Sequence, residues 1–234
     1  MADVPQEKHP HIPARNIIDR LVLGGSDGAI EGVATTAALN AAGLGFRVIL
    51  LAGFAFALAG GLSMFFSSYL STRAELESLR IDVERERMEI ETEPEEERRE
   101  LEELLTKEGY EKGEVDVIMN RLTKNKEMWL RAQLRHELHL YAGELTSAPV
   151  KRAVPAGVSF FVLGLLALLP YTAAIARPDA LAASAALSLG ALFVLGSKAF
   201  IPRTFSFKEG VRSAAVGAIA VCLLYAVGLL AGSL

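Results

Sequence analysis

One cysteine, Cys222, in 234 residues excludes a disulfide framework and any paired-cysteine metal knuckle. Charge is scarce outside a single stretch. Arg73–Glu144 holds 21 of the 28 acidic residues and 13 of the 24 basic ones. Segregation of this kind excludes an ordinary soluble domain, which disperses its charges over one surface. The acid excess of that stretch also excludes nucleic acid as a partner. The opening MADVPQEKHPHIPARN lacks a basic region followed by an apolar run and a small-residue cleavage site, so no cleaved signal peptide is expected. Nucleophile elbows, phosphate-binding loops and zinc-protease motifs are missing as well, which argues against an enzyme.

What is present is apolar sequence. Uncharged runs extend over Val48–Thr72, Ala153–Ala176, Ala180–Ser197 and Ser213–Leu234, each reaching or approaching the roughly 20 residues that carry a helix across a bilayer. A fifth candidate, Arg20–Arg47, is interrupted only by Asp27 and Glu31. The expected fold is all-α: a polytopic membrane protein with five transmembrane helices and an inserted cytoplasmic helical domain. The expected divisions are a tail over residues 1–15, helices one and two over 16–72, the acidic domain over 73–146, and helices three to five over 147–234. Gly28 and Gly32 in the first helix, with Gly53, Gly60 and Gly61 in the second, are small residues at helical spacing that let another backbone approach closely.

The acidic stretch reads as helix, rich in Glu, Arg and Leu and poor in β-branched residues. A break is expected at Thr92-Glu93-Pro94, with Thr92 as cap and Pro94 in the first turn of the next helix. A stop is expected near Gly109, then a short helix over 112–125 and another over 126–141. Basic residues set the topology. Lys198, Arg203, Lys208 and Arg212 mark one loop as cytoplasmic along with the acidic domain, whereas the opposite loops carry only Arg47 and Arg177. The amino terminus then lies inside and the carboxyl terminus outside. Short loops favour a prokaryotic inner membrane, or the vacuolar membrane if the cell is eukaryotic.

Asp27 and Glu31 are four residues apart and share one helix face. A carboxylate at the bilayer centre costs about 2.5 to 3.5 kcal/mol on insertion scales, so such groups face cavities and mark ion or proton paths. Met64 offers a thioether, a soft ligand suited to a transition metal. In the acidic stretch Glu86 and Glu89 are three apart, as are Glu97 and Glu100, and Glu137 returns on a later helix. Antiparallel helices bring such pairs together into an oxygen-rich site for divalent cations. A solvated charged face with Arg partners is the competing reading. His136 and His139 are expected at the surface, and no Glu-xx-His pair is present.

Ser26-Asp27-Gly28 in the first span, Ser63-Met64 in the second and a Glu-rich insert before three more spans together resemble the vacuolar iron transporter family over nearly the whole chain. The ordered set Glu86, Glu89, Glu97, Glu100 and Glu137 is similar to that family's cytoplasmic metal-binding series, and Asp27 and Met64 to its membrane metal path. The resemblance implies a homodimer of five-span subunits in the lipid bilayer that exchanges cytosolic Fe²⁺, Mn²⁺ or a related divalent ion for protons, with no prosthetic group. It implies that two Asp27 and two Met64 converge between the subunits, where closely spaced carboxylates stay ionised together only with a cation present. This sequence departs from the family pattern in three places. Ser67-Ser68-Tyr69 stands where an acid is usual, Gln133 and Leu134 stand where two methionines are frequent, and Glu31 stands for a small hydroxyl residue and is a candidate to replace the missing acid in the path. The competing function is a non-transporting membrane protein whose acidic domain stores or senses metal, or docks a partner.

Overall fold

The computed structural model describes residues 13–138, 148–173, 175–198, 201 and 204–233, and all regular structure among them is helical. The helices are α1 Pro13–Ala41, α2 Phe46–Thr92, α3 Pro94–Lys107, α4 Lys112–Leu122, α5 Lys126–His136, α6 Pro149–Leu166, α7 Arg177–Ser197 and α8 Phe207–Gly232, with a 3-10 turn at Leu169–Thr172. The chain divides into two compact units, Met1–Leu70 with Pro149–Leu234, and Ser71–Ala148. Helix α2 contributes to both: its 47 residues run through the expected boundary at residue 72 because neither proline nor glycine interrupts the backbone there.

Four helices, α2, α6, α7 and α8, are long and apolar enough to cross a membrane. Their outward faces carry exposed leucines, valines and phenylalanines, such as Leu51, Phe66, Val158 and Leu230, as lipid-facing surfaces do. Helix α1 is longer than α6 but is not among the four; Asp27 and Glu31 interrupt its apolar sequence. It nevertheless packs against α6, α7 and α8, and Ala29, Val33 and Ala37 are fully buried.

The glycines explain how α1 fits, and the partner is α6. Carbonyl oxygens of Ala156 and Phe160 occupy the places where Cβ atoms of Gly24 and Gly28 would be, and a Cβ at Gly32 would lie 2.8 Å from the Gly164 oxygen. Three successive turns of one helix thus rest backbone on backbone against three turns of the other. Helix α6 also receives α2: a Cβ on Gly61 would lie 3.0 Å from the Gly157 oxygen, and Gly60 accommodates the Phe160 ring. Spacing alone shows that a helix has a flat face but not which helix lies on it.

The Ser71–Ala148 unit is built differently, around side chains. Ile90, Leu101, Leu105, Val115, Met119, Trp129, Leu130 and Leu134 form its core. Its helix ends correct two expectations. Thr92 does not cap α3, because its hydroxyl donates back to the Met88 carbonyl at 3.0 Å within α2, and Glu93 takes the cap position without a side-chain bond. Helix α4 starts with a reciprocal box between Glu111 and Glu114 and ends at Leu122. Asn125 then caps α5 by accepting from the amides of Glu127 and Met128. Helix α5 ends at His136, not residue 141, and His139 lies outside the described residues.

Candidate metal centre

Each of three helices in the acidic unit carries its buried stripe one step past the apolar core into a polar group. On α2, Glu86 precedes Ile90 by one turn, and the two are 2% and 3% exposed. On α3, Glu97, Leu101 and Leu105 follow at four-residue spacing and are all buried. On α5, Gln133 follows Trp129 by one turn and is fully buried, and Glu137 sits at the carboxyl cap. The polar ends meet. One carboxylate oxygen each from Glu86, Glu97 and Glu137 lies within 4.8 Å of the others, a separation that one cation with oxygen ligands at about 2.1 to 2.6 Å can span.

Such a cluster is electrostatically costly without a cation. Burial pushes the Glu86 carboxyl up to about 8, assisted by the charge of Glu137, a hydrogen bond and charge from Glu97, and the charge of Glu89. Glu137 is raised by burial and by Glu100, Glu97 and Glu89, with Arg85 opposing. Glu100 is raised by burial and by its neighbours Glu97, Glu96, Glu89 and Glu103. Glu86, Glu97 and Glu137 therefore form the convergent trio, while Glu89 and Glu100 act on it through space. Charged groups this crowded hold either protons or a dication.

The other candidates lie in the membrane unit. Asp27 is half-buried on α1, between the buried Gly24–Gly25 and Gly28. Glu31 is exposed one turn later, within electrostatic reach of Asp27. Met64 is half-buried on α2, next to Phe65, which packs on Gly157 of α6.

Three features were not anticipated. Gln133 donates from Nε2 to Glu97 Oε2 at 2.7 Å and to the Glu97 carbonyl at 3.3 Å. Its type and its position four residues before Glu137 were the available signal. His136 is not a free surface residue: its Nδ1 lies 2.7 Å from Glu108 Oε1 and its side chain is 18% exposed. In the membrane unit, Thr36 pairs with Ser184 at 3.4 Å, Ser184 donates to the Ala167 carbonyl at 2.7 Å, and Asn40 donates to the Tyr171 hydroxyl at 3.2 Å. These bonds satisfy polar groups that the bilayer would leave without partners.

Fold and site together define an all-helical integral membrane protein that gathers carboxylates into a candidate cation site within its polar unit. The chain belongs to the VIT family, which it matches over residues 18–229. It is 32% identical over 211 residues to vacuolar iron transporter 1 of Arabidopsis thaliana, covering 90% of this chain and 84% of that protein. To vacuolar iron transporter 1 of Eucalyptus grandis it is 31% identical over 216 residues, covering 92% and 86%. A vacuolar iron transporter of Toxoplasma gondii is 29% identical over 164 residues, covering 70% of this chain and 54% of that one. These relatives are named as transporters, not enzymes, in keeping with the missing catalytic motifs.

Proposed function

We propose that this protein carries a divalent metal ion, Fe²⁺ or Mn²⁺, out of the cytosol in exchange for protons. It works as a homodimer with five spans per subunit, α1 being the fifth, and with the acidic unit in the cytoplasm. The observation that carries this reading is the convergence of Glu86, Glu97 and Glu137 within 4.8 Å in a chain whose relatives are named vacuolar iron transporters. The packing of α1 against α6, α7 and α8 supports a fifth span. The membrane is the cell's inner membrane or, in a eukaryotic cell, the vacuolar membrane for which the relatives are named.

In this scheme the acidic unit collects metal. Its surplus of carboxylates raises the local cation concentration, and each ion bound displaces protons from the crowded acids. Asp27, Glu31 and Met64 then line the membrane path, where the same competition between proton and metal couples the two flows. The rival reading, a membrane-anchored metal store or sensor, draws on one observation: the carboxylate trio lies wholly within the Ser71–Ala148 unit.

Flux decides between them. Purified protein in proteoliposomes should move Fe²⁺ and Mn²⁺ in proportion to an opposing pH gradient and acidify or alkalinise the lumen accordingly. Metal binding without flux would leave the store or sensor in its place.

A further inference from the structure

At the carboxylate trio two buried oxygens, Glu86 Oε1 and Gln133 Oε1, have no hydrogen-bond partner among the described residues. Gln133 is fully buried, and burying an amide carbonyl with nothing to accept costs about 1 to 3 kcal/mol. Its orientation is not arbitrary. The two Nε2 contacts to Glu97, at 2.7 and 3.3 Å, require the N–H₂ end to face the carboxylate and the backbone carbonyl. The reversed amide would set three oxygens against one another. With the nitrogen so committed, Oε1 is the atom left over, on the same planar group that touches Glu97.

We propose that Gln133 supplies a neutral carbonyl oxygen to the ion held by Glu86, Glu97 and Glu137, completing an all-oxygen ligand set that narrows the usual affinity advantage of softer divalent ions over Mn²⁺. This rests on the metal-site reading above and adds to it which ions the site selects and by which residue. An amide oxygen suits this position on three counts. It adds a donor without adding charge to an overcrowded acid cluster. It brings no sulfur or nitrogen, the atoms that give late transition ions their advantage. Its N–H₂ end holds Glu97 in place, so one side chain both ligates and positions.

The protein contains one tryptophan, Trp129, a single helical turn before Gln133, so its fluorescence in the full-length protein in detergent reports ion binding at this site. Mn²⁺ and Co²⁺ are titrated separately into wild type and into Gln133→Leu, Gln133→Met, Gln133→Glu and Glu86→Gln, with bound Mn²⁺ counted by electron paramagnetic resonance. Gln133→Leu should weaken Mn²⁺ by about tenfold, the scale on which supporting groups act at metal sites. Gln133→Met should shift the Co²⁺ to Mn²⁺ affinity ratio by a similar factor toward Co²⁺. Gln133→Glu, which keeps an oxygen there, should retain Mn²⁺.

Unchanged Mn²⁺ affinity in Gln133→Leu, or an unchanged ratio in Gln133→Met, overturns the proposal. If the leucine variant does not fold by circular dichroism and elution volume, the methionine and glutamate variants decide. The underlying reading fails separately: it falls if wild type binds no Mn²⁺ or if Glu86→Gln binds it as wild type does. Loss of binding in Glu86→Gln with all Gln133 variants unaffected sinks only the assignment of Gln133.

Discussion

The membrane unit and the acidic unit solve the problem of joining helices in opposite ways. In the first, Gly24, Gly28 and Gly32 let α1 touch the backbone of α6, because in lipid helices associate by close packing and interhelical hydrogen bonds and not by a hydrophobic drive. In the second, surrounded by water, Leu101, Leu105, Met119 and Trp129 are driven together, and polar groups are added where that core ends. Backbone packing leaves α1 free to carry carboxylates on its remaining surface. Side-chain packing instead draws Glu86 and Glu97 inward, where they and the exposed Glu137 repel one another. The two proposed metal sites therefore differ in kind: one lies beside a backbone seam, the other where crowded carboxylates converge.

The comparison is broken most severely through Asp27. Asp27→Ala should abolish metal flux in proteoliposomes while leaving Mn²⁺ quenching of Trp129 unchanged, since the acidic unit has its own core. Retained flux would remove Asp27 from the path. Next in size is the seam. Gly28→Val places a side chain against the Phe160 carbonyl and should destabilise the membrane unit by about 3 kcal/mol, read as lost thermal stability in detergent. Gly113→Ala, on α4 where nothing lies within 4 Å of an added Cβ, is the control and should leave stability unchanged or slightly raised.

The pocket is probed by pH. Glu86 ordinarily titrates at 4.5 and does so at about 8 in the folded protein, so between those values the folded state keeps a proton that the unfolded chain has released. Stability of the metal-free acidic unit should thus fall as pH rises from about 4.5 to about 8, and Glu86→Gln should flatten that slope and exceed wild type above pH 8. A wild-type unit equally stable at pH 5 and pH 8.5 would contradict the assignment. Mn²⁺ binding at pH 7 should release protons into a weak buffer, and the release should shrink in Glu86→Gln. Smallest is the His136–Glu108 pair, which is half-exposed: His136→Ala should cost about 0.5 kcal/mol and leave metal binding intact.

Much of this was legible in the residues. Apolar runs marked α2, α6, α7 and α8; of the five glutamates singled out by the resemblance, Glu86, Glu97 and Glu137 converge from three different helices, while Glu89 and Glu100 stand outside the trio. What escaped depends on contacts between distant elements. A glycine face does not name its partner, and α6, with Gly157 and Gly164, serves both α1 and α2. Thr92 is a good cap by type, yet it had the Met88 carbonyl within reach inside its own helix, and that nearer acceptor won. The bond from Gln133 to Glu97 depends on how α5 packs against α3, which neither residue's position reveals.

The seam between α1 and α6 has a mechanical meaning. Oxygens seated at three glycines in succession key α1 to α6 at four-residue intervals, about 6 Å apart along the helix. Asp27, one residue before the middle notch, is thereby set in register with Phe160 of α6.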